Sequence, residues 1–196
     1  MTLNIKDKPK DGFERVVYAE EDKFNFYSVI AIHNTKRGPA LGGCRYFNYQ
    51  DFNKQEEDVL KLAEAMTYKN SLAELPFGGG KATIHSKINK KDAYSLFGEV
   101  LNKLNGTYIT AGDMGTVDED LRGFREYSDH VCNPIGSDSG LGTALGVYYS
   151  MLGCVEFKFG QDSLVNKNIF IKGYGKTGSR IASLCKKDSA NIEISD

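Results

Sequence analysis

The chain has 196 residues, a formal net charge of −1, and hydrophobic and charged contents of 40% and 26%, ordinary for a globular protein of one large or two small domains. No basic patch dominates, which argues against nucleic acid as a partner; no run approaches the ~18 apolar residues of a membrane span, and Met1–Lys10 is too polar for a signal peptide. Cys44, Cys132, Cys154 and Cys185 form no CxxC pair, and His33, His85 and His130 lack metal-ligand spacing, so reduced thiols in a cytoplasmic protein without a metal site are expected.

Arg15–Ala19 and Phe26–His33 read as strands joined by a charged turn at Glu20–Lys23. Asn34–Gly43, rich in Gly and Pro, reads as a loop, and Cys44–Phe47 returns to strand character. From Lys54 the period changes: Val59, Leu62, Ala63 and Met66 mark one face of an amphipathic helix. Lys69 continues that apolar row. It either snorkels to solvent at the helix end or waits as a fixed cation for an anion such as a substrate carboxylate.

Leu75–Ile84 (LPFGGGKATI) is the most informative stretch. Gly78, Gly79 and Gly80 allow close approach of backbone or ligand and either sign of φ, and they deliver Lys81 at the mouth of a strand. The spacing is not that of a phosphate loop, which needs a first glycine five residues before the Gly-Lys pair and a hydroxyl residue after it. If Lys69 and Lys81 share one dry pocket, like-charge repulsion and desolvation lower one pKa and create a general base.

Ala93, Leu96, Phe97, Val100, Leu101 and Leu104 predict a second helix, ended by Asn105-Gly106. Asp113 follows the predicted strand Tyr108–Thr110, between Gly112 and Met114-Gly115; a site carboxylate and a turn aspartate fit equally. Thr116 and Glu119 have capping-box spacing for a helix toward Tyr127, with Asp118, Glu119 and Asp120 as first-turn acids.

A second region starts after Pro134, with small, flexible Gly136–Gly142 and a long helix over Thr143–Phe159. Strand Asn168–Lys172 leads into Gly173, Gly175 and Gly178 in GxGxxG spacing, then helix Ser179–Lys187 and strand Ile192–Ser195. Asp196 lies 23 residues after Gly173, close to the ~20-residue separation of a ribose-binding acid in dinucleotide folds. In that reading Gly173 makes the tight turn, Gly175 admits the pyrophosphate at the helix N-terminus, and Gly178 permits close packing. The acid favours NAD over NADP, whereas a ligand-free glycine turn is the alternative. A β-α-β unit alone leaves a raw strand edge, so a fragment of a longer protein, or completion by another chain, is expected.

The motifs GPALGGCR (Gly38–Arg45), AMTYKN (Ala65–Asn70), LPFGGGKATI (Leu75–Ile84), YITAGDMGT (Tyr108–Thr116) and GYGKTG (Gly173–Gly178) resemble the glutamate/leucine/phenylalanine/valine dehydrogenases, the leucine-type enzymes most closely. That resemblance implies an α/β protein: a mixed-sheet substrate-binding and oligomerisation domain over 1–134, then over 135–196 the first β-α-β unit of a Rossmann-type NAD-binding domain. It implies Lys81 as general base, Asp113 as proton carrier, and Lys69 as the carboxylate-binding cation, with Leu41, Gly42, Met66 and Ala111 also at the substrate. Thr143, Gly173, Gly175, Lys176, Thr177, Gly178 and Asp196 would contact NAD. The implied reaction is oxidative deamination of an L-amino acid by a homo-oligomer. Leucine at position 41, where glutamate enzymes carry a lysine, implies an apolar substrate side chain. Gly112 departs from the acid usual in leucine-type enzymes, and Gly136–Thr143 is shorter than the family's loop and lacks its proline. A non-catalytic binding or oligomerisation module is the second reading.

Overall fold

The computed structural model describes residues 2–132 and 139–196. The expected boundary at 134/135, and Gly136–Asp138 of the glycine-rich stretch, lie outside the described residues. The chain divides into two compact units, 1–133 and 134–196.

The first unit is built on a six-stranded mixed sheet in the order β1-β2-β3-β5-β4-β6. The strands are β1 (Asn4–Asp7), β2 (Arg15–Glu21), β3 (Phe26–Asn34), β4 (Ala40–Phe47), β5 (Gly78–His85) and β6 (Tyr108–Gly112). β1, β2, β3 and β5 run antiparallel in succession. β4 is parallel to both β5 and β6, because helices α1 (Phe52–Leu72) and α2 (Lys90–Leu104) return the chain between β4, β5 and β6.

Helix α1 covers one face, where Val16, Tyr18, Val29, Ala31, Val59 and Ala63 form a buried cluster. On the other face, Ile30, Ile32, Cys44, Ala82 and Ile84 pack with Phe97, Leu101 and Leu104 of α2 and Leu121 and Phe124 of α3 (Asp118–Arg125). The 3.6-residue apolar period of α2 is thus its buried stripe, and Asn105 ends it in the left-handed conformation at φ 47°. α1 begins at Asp51, whose side chain accepts a hydrogen bond from Lys54 N.

Four local expectations need correction. β1 was not foreseen: its sequence NIKD is polar because an edge strand pairs on one side only, and Arg15–Asp7 and Lys6–Glu20 ion pairs tie it to β2. β4 begins at Ala40, inside the expected Asn34–Gly43 loop. There glycine serves strand packing: a Cβ on Gly42 would lie 1.7 Å from Gly80 O, and one on Gly43 2.6 Å from Gly112 O. Gly78–Gly80 likewise lie inside β5, buried and without positive φ. A Cβ on Gly79 would meet Thr67 N of α1 at 2.1 Å, so these glycines admit a helix and neighbouring strands rather than a turn. Finally, α3 is capped by Asp120, whose carboxylate accepts from Val117 N at 2.8 Å. Thr116, expected as the cap, instead accepts from Asp113 N and donates to Cys44 O, both at 2.8 Å.

The second unit comprises α4 (Ser139–Phe159), β7 (Asn168–Lys172), α5 (Gly178–Lys187) and β8 (Asn191–Ser195). β7 and β8 pair in parallel, the expected β-α-β unit. α4 starts four residues before the expected Thr143. Asp188 fastens the unit, accepting from Leu164 N, Ser163 Oγ and Tyr148 Oη. Phe170 and Ile194 of the two-stranded sheet remain exposed. Among the described residues no helix is long and apolar enough to cross a membrane.

Candidate functional site

Alternation along the strands brings Lys81, Arg45 and Asp113 together. In β5, Ala82 and Ile84 face the α2 core, so Lys81 and Thr83 face the α1 side, where Thr83 Oγ1 accepts from Gln55 Nε2 of α1. In β4, Ala40 and Cys44 join the α2 core, which puts Leu41, Gly43 and Arg45 on the α1 side. Ala111 stands beside Gly43 in the β4–β6 register, and Asp113, two residues on, lies over Gly43, whose added Cβ would fall 2.8 Å from Asp113 Cβ.

Lys81 Nζ lies 3.1 Å from Asp113 Oδ2, and Arg45 Nε donates to the same oxygen at 2.9 Å. Arg45 Nη1 also donates to Asp58 of α1, at 2.8 and 3.1 Å, and Tyr49 Oη donates to Asp58 Oδ2 at 2.7 Å. Lys81 is 5% exposed, and burial lowers its pKa from the ordinary lysine value. Asp113 opposes that shift and Arg45 adds to it. Burial pushes the Asp113 carboxyl up, but Lys81 and Arg45 more than offset this and hold it below the usual carboxylate value. The result is a buried amine whose ammonium form burial disfavours, paired with a carboxyl whose ionised form its cationic neighbours favour.

Lys69 requires a correction. Its side chain is exposed, so it reaches solvent near the end of α1 and shares no dry pocket with Lys81. The lowered pKa of Lys81 comes from its own burial, with Arg45 as the repelling cation. Of the same row α1 buries Val59 and Ala63 as expected, whereas Leu62 and Met66 are half-buried; Gln55 and Asn70 are buried as well. Asn70 Nδ2 donates to Leu41 O and Gly78 O, at 3.2 and 2.6 Å. Leu41 and Ala111 are half-buried, whereas Gly42 is enclosed in the sheet, its carbonyl accepting from Tyr108 Oη at 2.8 Å.

Arg45 and Asp58 are the site residues that the sequence did not single out. Arg45 closes the motif GPALGGCR, and Asp58 directly precedes Val59 of the buried stripe, but only the fold pairs them.

In the second unit, Gly173 adopts φ +96°, and a Cβ on Gly178 would lie 2.0 Å from Gly173 O, whereas Gly175 faces open space. Tight turn, clear approach and close helix contact thus occur in the order that a dinucleotide turn requires. Thr177 precedes the first turn of α5, beside Lys176. Asp196 Oδ1 accepts from Tyr174 N at 2.8 Å, which places the acid at the turn. Thr143 lies in the first half of α4, with its side chain exposed.

A mixed sheet bearing the Lys81–Asp113 ion pair and, in the second unit, a glycine turn between parallel strands make this an α/β protein with a nucleotide-type turn. Residues 14–129 match the model of the Glu/Leu/Phe/Val dehydrogenase dimerisation domain, and the chain belongs to that family. It is 38% identical over 193 residues to phenylalanine dehydrogenase of Thermoactinomyces intermedius, covering 94% of this chain and 53% of that protein. It is 36% identical over 200 residues to leucine dehydrogenase of Bacillus subtilis, covering 98% and 55%. The crystal structure of L-tryptophan dehydrogenase from Nostoc punctiforme superposes with a TM-score of 0.68 at 28% identity, covering 94% of this chain and 54% of that one. The chain spans about half the length of the curated relatives it matches.

Proposed function

We propose that the protein catalyses NAD-dependent oxidative deamination of an apolar, leucine-like L-amino acid to its 2-oxo acid and ammonia. The observation that carries this reading is the buried Lys81 amine, its pKa lowered, against Asp113 at 3.1 Å. A base for water must be neutral near working pH, and burial moves a lysine in that direction.

NAD⁺, when bound, supplies the acceptor for the hydride that leaves the substrate Cα. The substrate iminium so formed needs water at its carbon. Neutral Lys81 takes a proton from that water as the C–O bond forms, giving a carbinolamine. Asp113, holding the proton it takes from the substrate ammonium before hydride transfer, returns it to the nitrogen. Lys81, its own proton passed to solvent, takes the hydroxyl proton as the C–N bond breaks, the carbonyl forms and ammonia departs. The overall balance is amino acid, NAD⁺ and water to 2-oxo acid, NADH, ammonium and one proton. Lys69, an exposed cation, is assigned the substrate carboxylate. Leu41, Met66 and Ala111 are assigned its side chain, with Gly42 in the adjoining backbone. Leu41 offers no charge to a substrate carboxylate, and burying one uncompensated costs several kcal/mol.

Residues 135–196 are assigned to NAD binding, with Thr143 toward the nicotinamide. Gly173, Gly175, Lys176, Thr177 and Gly178 are assigned the pyrophosphate, and Asp196 the ribose. Residues 1–134 would bind substrate and assemble a homo-oligomer in the cytoplasm; the dimerisation-domain match supports the assembly.

NADH formation by the intact protein with leucine, valine, isoleucine, phenylalanine and glutamate tests this reading. Turnover of the apolar substrates over glutamate is expected. A folded protein that reduces no NAD⁺ with any of them would overturn it in favour of a non-catalytic binding or oligomerisation module.

A further inference from the structure

We infer that Arg45 is a positioning residue for the acid–base pair: anchored by Asp58, its guanidinium occupies Oδ2 of Asp113 together with Lys81 and leaves Oδ1 as the oxygen that carries the proton. The inference rests on the reading of Lys81 and Asp113 just given.

Two carboxylates meet one guanidinium here. Arg45 Nε takes Asp113 Oδ2 at 2.9 Å, and Nη1 takes Asp58 Oδ2 and Oδ1 at 2.8 and 3.1 Å. The planar fork of arginine bonds two partners from fixed positions, which a lysine ammonium on a flexible stem does not reproduce. Asp58 is itself held by Tyr49 Oη at 2.7 Å, so the clamp is fixed from α1 and from the segment after β4. Arg45 is 17% exposed in its side chain and Asp113 23%, so neither charge is fully screened by water. Among the described residues no hydrogen bond reaches Asp113 Oδ1.

The consequence is chemical as well as geometric. Because Oδ2 already carries two cationic donors, proton transfer to and from the substrate nitrogen falls to Oδ1. A second fixed positive charge beside Lys81 also disfavours its ammonium form, and an arginine supplies that charge at every working pH because it does not deprotonate. A purely structural Arg45, tying α1 to the sheet, would affect stability and overall rate but leave the ionisation of Lys81 where it was.

The pH dependence of kcat/KM in the intact protein separates these roles. Arg45→Met removes the charge: the acid limb, set by Lys81 deprotonation, is expected to move to higher pH. Arg45→Lys keeps the charge but not the fork, so kcat should fall about tenfold or more with the limb unmoved. An unmoved limb in folded Arg45→Met, or unaltered kcat in Arg45→Lys, overturns the inference. If Arg45→Met does not fold, Arg45→Gln, which also removes the charge, takes its place in the same pH profile, and an unmoved limb there overturns the inference. Absence of turnover in the unsubstituted protein would count against the deamination reading instead. The Asp113 carboxyl titration by carbon NMR then tests Arg45: a midpoint that does not rise on Arg45→Met overturns its role.

Discussion

Gly43 and Asp113 are matched by space: a Cβ at position 43 would fall 2.8 Å from Cβ of Asp113 and 2.6 Å from Gly112 O. The missing side chain of one residue is the room in which the other reaches Lys81. Gly43→Ala must therefore push the end of β6 away, and misplacement of this kind costs about a hundredfold in rate. Steady-state turnover with a leucine-like substrate checks this. Wild-type turnover in the folded variant would show that the contact is slack.

Lys81→Ala should lower turnover by about 10²–10⁴ while NAD binding persists, because the nucleotide turn is built from Gly173–Gly178 in the other unit. Fluorescence titration with NADH beside an activity assay separates the two. Near-normal turnover would remove Lys81 as the base.

Leu41→Lys places a cation among the residues assigned to the substrate side chain. The ratio of kcat/KM for leucine to that for glutamate should fall about tenfold or more, since a paired carboxylate no longer meets the cost of burial alone. An unchanged ratio would exclude Leu41 from specificity.

Asp120 predicts a pH signature in stability. Burial raises its pKa, but bonds from Lys90, Val117 N and Tyr94 outweigh this and hold it below the usual carboxylate value. A carboxyl depressed in the folded state contributes stability that is present above its unfolded pKa of about 3.9 and lost as pH falls through the folded value. Asp120→Asn should therefore cost about 1–3 kcal/mol at pH 7. Its deficit against the unsubstituted protein should shrink below about pH 4. Urea unfolding at both pH values reads this; a deficit that stays constant contradicts it.

Gly79→Ala tests the role of the glycine run. Its Cβ would lie 2.1 Å from both Thr67 N and Thr67 Oγ1, and overpacking of that kind costs about 1–3 kcal/mol or more. A lower melting temperature is expected, and an unchanged one would mean that α1 sits less firmly on β5.

The sequence by itself determined the elements whose signals are local. The apolar stripe of α2 and its Asn105 end were legible because helix neighbours lie three and four residues apart. The β7–turn–α5 unit was legible because its glycines act within six residues of one another. Lys81 and Asp113 could be singled out from the glycines beside them, although Lys81 stands inside β5 rather than at its mouth. Only the tertiary structure decided what surrounds them. Arg45 meets Asp58 across 13 residues and Asp113 across 68, distances closed by sheet register and the crossing of α1. The same long-range packing put Gly42, Gly43 and Gly78–Gly80 inside strands rather than loops. It also buried one lysine while leaving Lys69 in solvent. Periodicity records which side of an element a residue occupies; what presses against that side is set by segments far away in the chain.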